Sequence, residues 1–273
     1  TGFGQTGPYA ARPGYDGLIQ AMGGVMSLTG VPDGEPMKVA VPICDLMAGM
    51  YATVGILAAV RHQAETGEGQ FIDIGMLDTH IGWLANQGMN YLATGENPDR
   101  IGNMHPNILP YQVMPTSDGY IVLSVGNDPT FERFCKLAEC EHLLEDERFQ
   151  TNAARVSNRY HVTSVLNEIT QKRPSAWWLE ELEKEKIGCG PINNLDQVFD
   201  DPHVKAREMI IEMEHPAMGT KPMKLIANPI KLSKTPPTYR KAPPMLGQHT
   251  NDILKEAGFS DDEIAKLKNS GVV

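Results

Sequence analysis

The chain has 273 residues, 41% hydrophobic and 21% charged. That length and balance support a sizeable buried core in one large domain or two ordinary ones. The formal net charge of -10 argues against a nucleic-acid partner held through phosphate contacts, and no run approaches the roughly 18 continuous apolar residues of a membrane span.

Residues 1–16 are rich in glycine and proline and read as loop. The chain begins at Thr1, without a methionine, inside that run, and reads as a piece whose upstream part lies outside it. A short helix is predicted from Leu18 to Leu28, and Pro32, Gly34 and Pro36 mark a turn. Apolar residues recur at helical spacing from Ile43 to Glu65, and Thr66-Gly67-Glu68-Gly69 stops that helix. Phe71-Ile72-Asp73-Ile74 reads as a short strand, followed by a helix from near Met76 to about Thr94. Helix, strand and helix in succession indicate an α/β domain.

Residues 95–119 read as loop, and Tyr120 to Val125 as a strand. Helices are predicted near Pro129–Ala138, Asn158–Gln171 and Ala176–Glu185, then a Gly/Pro loop at 187–195. A short helix at Val198–Arg207 and a strand near Met209–Glu214 follow. Beyond a proline-rich connector, two small helices centre on Ile253 and Ile264. The middle of the chain, 112–205, is predicted to be a smaller separate domain.

Cys44, Cys135, Cys140 and Cys189 form no C-x-x-C pair and have no histidine at zinc-like spacing. They read as buried or half-buried thiols of a reducing compartment, and no metal is expected. Gly2-Phe3-Gly4-Gln5-Thr6-Gly7 satisfies G-x-G-x-x-G, but Pro8, Pro13 and Gly14 forbid the helix that a dinucleotide fingerprint must open. A loop whose backbone amides approach an anion remains open. Trp177-Trp178 reads as core. No G-x-S-x-G elbow, Walker A loop or H-E-x-x-H is present.

Gly69 to Asp78 carries a predicted strand into a predicted helix and leaves Asp73 and Asp78 near the junction. Asp78 falls in the first turns of the helix, where backbone amides and the dipole stabilise a carboxylate. Such a group can serve as nucleophile or general base, and equally as an ordinary cap. On spacing alone the ordinary cap is the preferred reading, and Asp73 is a weaker candidate than Asp78. The loop Arg100 to Tyr111 is suited to line a site. Its His105 has no visible acidic partner, so a structural or substrate-contacting histidine is the simpler reading.

These segments together resemble the family III CoA-transferases, also called the CaiB/BaiF family, over essentially the whole chain. The residues carrying the resemblance are Gly2-Phe3-Gly4 through Gly7-Pro8-Tyr9, Pro13-Gly14-Tyr15-Asp16, Gly69-Gln70 to Asp78, and Gly102-Asn103-Met104-His105-Pro106. They continue with Pro110-Tyr111-Gln112, Asp118-Gly119-Tyr120-Ile121, Gly126-Asn127-Asp128, Gly190-Pro191-Ile192-Asn193, Asp201-Pro202-His203-Val204, Glu214-His215-Pro216, and Ala242 to Thr250. The resemblance implies an α/β fold with a Rossmann-like large domain, a smaller α+β domain and an interlocked homodimer. It assigns 1–111 to the large CoA-binding and catalytic domain, 112–205 to the small domain and 206–273 to a return to the large domain.

The same resemblance implies transfer of CoA from an acyl-CoA donor to a carboxylic acid, with acyl-CoA and carboxylate substrates, no metal, no membrane and no nucleic acid. It makes Asp78 the catalytic nucleophile. It places CoA contacts at Arg12, Pro13, Gly14 and Tyr15, and an active-site acid at Asp16. Asn103-Met104-His105-Pro106 matches a loop that is glycine-rich and mobile in other members, so its motion here is an open question. Racemases of the superfamily carry histidine where this chain has Tyr15, and without an imidazole there one face lacks its base. Transfer is therefore preferred to a racemase-like isomerase or a non-catalytic CoA-ester binding protein. Gly190–Asn194, Met213–Pro216 and the C-terminal run look like members pairing a succinyl-CoA donor with a dicarboxylate. A cytoplasmic location is expected, or the mitochondrial matrix in a eukaryote.

Overall fold

The computed structural model describes residues 1–273, which divide into two compact units, Thr1–Ile192 and Asn193–Val273. The first begins with helices α1 (Asp16–Met22), α2 (Val25–Leu28), α3 (Ile43–Thr66), α4 (Met76–Ile81) and α5 (Ala85–Thr94). Strands β1 (Tyr111–Pro115) and β2 (Tyr120–Ser124) follow, then α6 (Asp128–Leu137), α7 (Glu147–Gln150), α8 (Asn152–Ser157), α9 (Arg159–Thr170), α10 (Ser175–Lys184) and β3 (Gly188–Pro191). The second unit holds α11 (Leu195–Asp200), α12 (Pro202–Ala206), β4 (Ile210–Met213), β5 (Met223–Ile226), α13 (Thr250–Glu256) and α14 (Asp261–Asn269). Both sheets, β1-β2-β3 and β4-β5, are antiparallel.

The larger hydrophobic cluster of the first unit is drawn entirely from residues between Leu109 and Ile187. Strand β2 shows why: Ile121 and Leu123 are fully buried while Tyr120 faces out, the period-2 pattern of a one-sided sheet. Phe131, Phe134, Phe149 and Trp178 join Ile121 and Leu123 in that cluster and stack on one another, with Phe134 and Trp178 centroids 6.0 Å apart. The Trp178 indole N–H donates to the Thr170 carbonyl at 2.8 Å, so Trp178 is core, as its sequence context predicts. Arg155 is fully buried beneath Phe131. It donates to the carbonyls of Leu109 and Phe149 and to Asp128.

A smaller cluster joins Phe3, Ile19, Cys44 and Met76 and holds α1, α3 and α4 against one another. Helix α3 ends at Gly67, whose φ of 79° supplies the left-handed C-cap predicted by its position. By length and composition this helix could cross a membrane, and little of its apolar surface is covered. Core helices of water-soluble proteins pass the same test, so it bears weakly on the expected absence of a membrane partner. Cys44, Cys135 and Cys140 are buried, Cys189 is half-buried, and all four are free thiols.

Several local expectations are corrected. Phe71–Ile74 is extended but is not a strand, because no ladder runs beside it. The Thr1 nitrogen donates to the Ile74 carbonyl at 3.0 Å, and Ile72 lies against α3, where a Cβ at Gly55 would fall 3.4 Å from Ile72 Cγ2. The helix predicted from Met76 to Thr94 breaks after Ile81. Trp83 and Leu84 turn back with three-residue bonds to His80 and Ile81, and Ala85 takes a φ of 46°. Gly23-Gly24 divides the predicted Leu18–Leu28 helix, with Gly24 at φ 96°. Asp201-Pro202 divides the helix predicted at Val198–Arg207. Strands β1 and β3 lie in stretches read as loop, and β5 lies where no element is predicted. β3 is Gly-Cys-Gly-Pro, with almost no side chain to signal a strand, and its pairing with β2 specifies it.

Candidate active site

Residues 1–5 lie along the start of α4. The Met76 amide donates to the Thr1 carbonyl at 2.8 Å and the Leu77 amide to the Gly2 carbonyl at 3.0 Å. Thr1 Oγ1 in turn accepts from the Gly4 amide at 2.8 Å, and Asp73 Oδ2 accepts from the Gln5 amide at 2.8 Å. The G-x-G-x-x-G stretch is thus a loop clasped to the first turn of a helix it does not itself open.

Asp78 sits in that turn, exposed to solvent. Its carboxylate lies over two glycines. A Cβ at Gly75 would fall 2.8 Å from Asp78 Oδ2, and one at Gly4 would fall 3.9 Å from the same oxygen. Gly4 has a φ of 81°, so its backbone conformation also requires glycine. Asp73 approaches the same point, its Oδ2 3.5 Å from a Cβ at Gly4. Two carboxylates therefore flank Gly4. Asp73 is spent on the loop backbone, and Asp78 accepts no hydrogen bond from the protein.

Gly14 brings the second sequence-predicted group to the same place. A Cβ there would lie 2.3 Å from Gly2 Cα, so the segment Arg12-Pro13-Gly14-Tyr15 runs directly against the glycine loop. Arg12 holds its guanidinium 3.8 Å over the Tyr9 ring, and Tyr9 meets the edge of Phe3 at 5.7 Å. Tyr15 is 73% exposed. The segment thus presents a cation stacked on an aromatic ring, packed through Gly14 against the glycine loop that Asp78 overlies.

Asp16, the expected active-site acid, spends both carboxylate oxygens on protein donors. Its Oδ1 accepts from the Cys44 amide at 2.9 Å, and its Oδ2 accepts from Gln20 Nε2 at 2.8 Å. Gln20 is fully buried, and its Oε1 accepts from the Val39 amide at 2.8 Å. Cys44 Sγ lies 3.3 Å from His80 Nδ1. Burial, and then Asp16, push the Cys44 thiol up to about 11, while burial pulls His80 below the ordinary imidazole value. Sequence reading missed Gln20, Cys44 and His80. No local motif marks them, because they meet only when α1, α3 and α4 pack.

Asn103-Met104-His105-Pro106 is fastened to the sheet and α9 instead. The His105 amide donates to the Tyr111 carbonyl at 2.9 Å, and the two rings stack at 5.2 Å. Arg159 donates to the His105 and Pro106 carbonyls at 3.3 and 2.7 Å, and Thr163 Oγ1 reaches Met104 Sδ at 3.7 Å. Burial, with Arg159 adding to it, lowers the His105 pKa. No hydrogen bond joins this loop to Asp78 or to residues 12–16.

Comparison with known proteins decides the family. The profile of CoA-transferase family III matches residues 1–250. The chain belongs to that family. It is 43% identical over 256 residues to a succinate–glutarate CoA-transferase of Agrobacterium fabrum, covering 94% of this chain and 64% of that protein. It is 37% identical over 274 residues to the human succinyl-CoA:glutarate CoA-transferase, covering 100% of this chain and 62% of that one. The chain thus spans less than two thirds of the length of these relatives. A solved CaiB/BaiF family protein from Brucella suis superimposes with a TM-score of 0.78 at 44% identity, covering 94% of this chain and 66% of the other. The mixed helix-and-sheet architecture is that of this family III fold.

Proposed function

We propose that this chain is the catalytic part of a CoA-transferase that moves CoA from succinyl-CoA to a dicarboxylate such as glutarate, with Asp78 as nucleophile. The observation that carries the reading is the exposed Asp78 carboxylate, lodged over Gly4 and Gly75 and committed to no protein hydrogen bond. The names of the relatives supply the substrate class.

In this mechanism an Asp78 oxygen attacks the donor thioester carbonyl. The C–S bond breaks, giving an acyl-aspartyl anhydride and CoA thiolate. The thiolate attacks the Asp78 carbonyl carbon, releasing the donor acid and leaving an aspartyl-CoA thioester. The acceptor carboxylate attacks that thioester and expels the thiolate, which then takes the acceptor acyl group and frees Asp78. Activation passes from thioester to anhydride and back, so no ATP is consumed and the mechanism invokes no metal. Water must be kept from the anhydride.

Arg12 to Tyr15 are assigned to CoA, with Arg12 on phosphate and Tyr15 on an aromatic or apolar surface of the ligand. Residues 103–106 are assigned to a loop that meets substrate in the assembled enzyme. The domain division 1–111, 112–205 and 206–273, an interlocked homodimer, and a cytoplasmic or mitochondrial-matrix location complete the reading. The test is Asp78→Asn in the full chain. It is expected to fold, to bind acyl-CoA and to transfer none, and hydroxylamine, by displacing CoA from the aspartyl-CoA thioester, should leave a hydroxamate on Asp78 of the parent alone. Normal turnover by the variant would sink the assignment, and α-proton exchange without transfer would favour an isomerase.

A further inference from the structure

Asp16 bridges two of the helices that build the nucleophile's environment. It stands at the first residue of α1 and spends both carboxylate oxygens inside the protein. One caps the start of α3 from outside that helix, on the Cys44 amide, which has no partner within α3. The other holds Gln20 Nε2 one turn along α1, and Gln20 fixes the loop before α3 through Val39. Cys44 then passes the constraint to α4, because its thiol is paired with the buried imidazole of His80. The fit around that ring is close: a Cβ at Gly23 would fall 2.1 Å from His80 Cδ2. His80 lies two residues beyond Asp78 on the same short helix, about 200° around it. The face of α4 opposite the nucleophile is therefore the face the network grips.

We infer that Asp16 is a positioning residue, not a proton-transfer acid: through Cys44 and His80 it locks α3 to α4 and thereby sets where the Asp78 carboxylate stands. The inference rests on Asp78 being the nucleophile. An acid or base in the reaction must present an oxygen to the reacting atoms, whereas both oxygens of Asp16 already accept from buried donors. The Cys44 thiol remains protonated at neutral pH, so it pairs with the imidazole as a thiol and not as a thiolate. The raised thiol and the lowered imidazole agree with that pairing.

Asp16→Asn and Asp16→Ala in the full chain separate the two roles. Asparagine can still accept from the Cys44 amide and loses only the Gln20 contact, whereas alanine loses both. For a positioning residue, Asp16→Asn should lose less than about tenfold in kcat, the worth of one hydrogen bond, and keep the shape of the parent pH profile. Asp16→Ala should lose about 100-fold, as a misplaced nucleophile would. N-ethylmaleimide labelling of Cys44, read by peptide mass spectrometry, should accelerate in Asp16→Ala and stay slow in Asp16→Asn. The inference is overturned if both variants are equally inactive while Cys44 stays protected in each, or if Asp16→Asn removes a limb of the pH profile. It is also overturned if Asp16→Ala keeps parental kcat. Failure of the parent itself to transfer CoA would instead overturn the proposed function, and Cys44 labelling alone would then decide whether Asp16 locks the helices.

Discussion

Gly2 and Gly14 meet backbone to backbone. A Cβ on Gly2 would fall 2.6 Å from Gly14 Cα, and a Cβ on Gly14 would fall 2.3 Å from Gly2 Cα. Neither position has a flexible side chain to give way. This contact joins the segment proposed to meet CoA to the loop clasped to the start of α4, so small changes here should be felt in both.

Gly14→Ala should accordingly cost about 1–3 kcal/mol of stability, the usual range for overpacking, and weaken CoA binding by pushing residues 12–15 off the loop. Urea denaturation and calorimetric titration with CoA measure the two effects. Parental values in both would mean the contact does not exist in solution.

Gly75→Ala should act on chemistry more than on folding. Its Cβ would lie 2.8 Å from Asp78 Oδ2 and 3.0 Å from the Gly4 amide nitrogen. The carboxylate can swing away more cheaply than the backbone can move. A fall of about 100-fold in kcat is expected, with a melting temperature near that of the parent. A variant with intact kcat would count against a catalytic role for the Asp78 carboxylate in the position it takes over Gly75.

Arg155→Met removes three hydrogen bonds at once, to Leu109, Phe149 and Asp128. Methionine fills part of the volume but leaves two carbonyls buried without a donor. A loss of about 3–5 kcal/mol is expected, and chemical denaturation monitored through Trp178, which packs in the same cluster, should register it. A loss below about 1 kcal/mol would mean that water replaces the guanidinium.

Burial depresses the pKa of His80 and His105, which fixes the sign of a pH effect. As pH falls through the ordinary histidine value of about 6.5, the unfolded chain takes up protons before the folded one. Stability should therefore be full above that pH and decline below it, until the depressed folded values are passed. Each histidine contributes at most about 1.4 kcal/mol per pH unit. Thermal melts from pH 8 to pH 5.5 should show the decline, and His80→Gln should shallow it. A melting temperature that rises on acidification over this range would contradict the burial of both rings.

The sequence was informative where the signal is local. Helix α3 and its stop at Gly67 follow from apolar periodicity and a left-handed glycine, and β2 follows from alternation. Trp178 proved to be core, as its setting on a helix suggests. The same reasoning failed where the partner decides the outcome. Phe71–Ile74 alternates like a strand but has no ladder beside it, while β3 is a strand with scarcely a side chain. The break after Ile81 lies in a stretch whose periodicity runs on without interruption.

The candidate site divides in the same way. Asp78 was visible as a carboxylate near a predicted strand–helix junction, and the ordered motifs around it were enough to indicate the family. Those motifs are short runs whose residue types are set by backbone needs, such as φ above zero at Gly4 or close approach at Gly14, and such needs are written locally. What Asp16 touches is not written there. Its partners Gln20 and Cys44 lie 4 and 28 positions away, His80 lies 36 beyond Cys44, and only the three-way packing of α1, α3 and α4 brings them together. The sequence thus determined which groups could carry the chemistry. The tertiary structure decided which carboxylate is left without a protein hydrogen bond and which is occupied in holding the helices, because hydrogen-bond partners between distant elements exist only once those elements are packed.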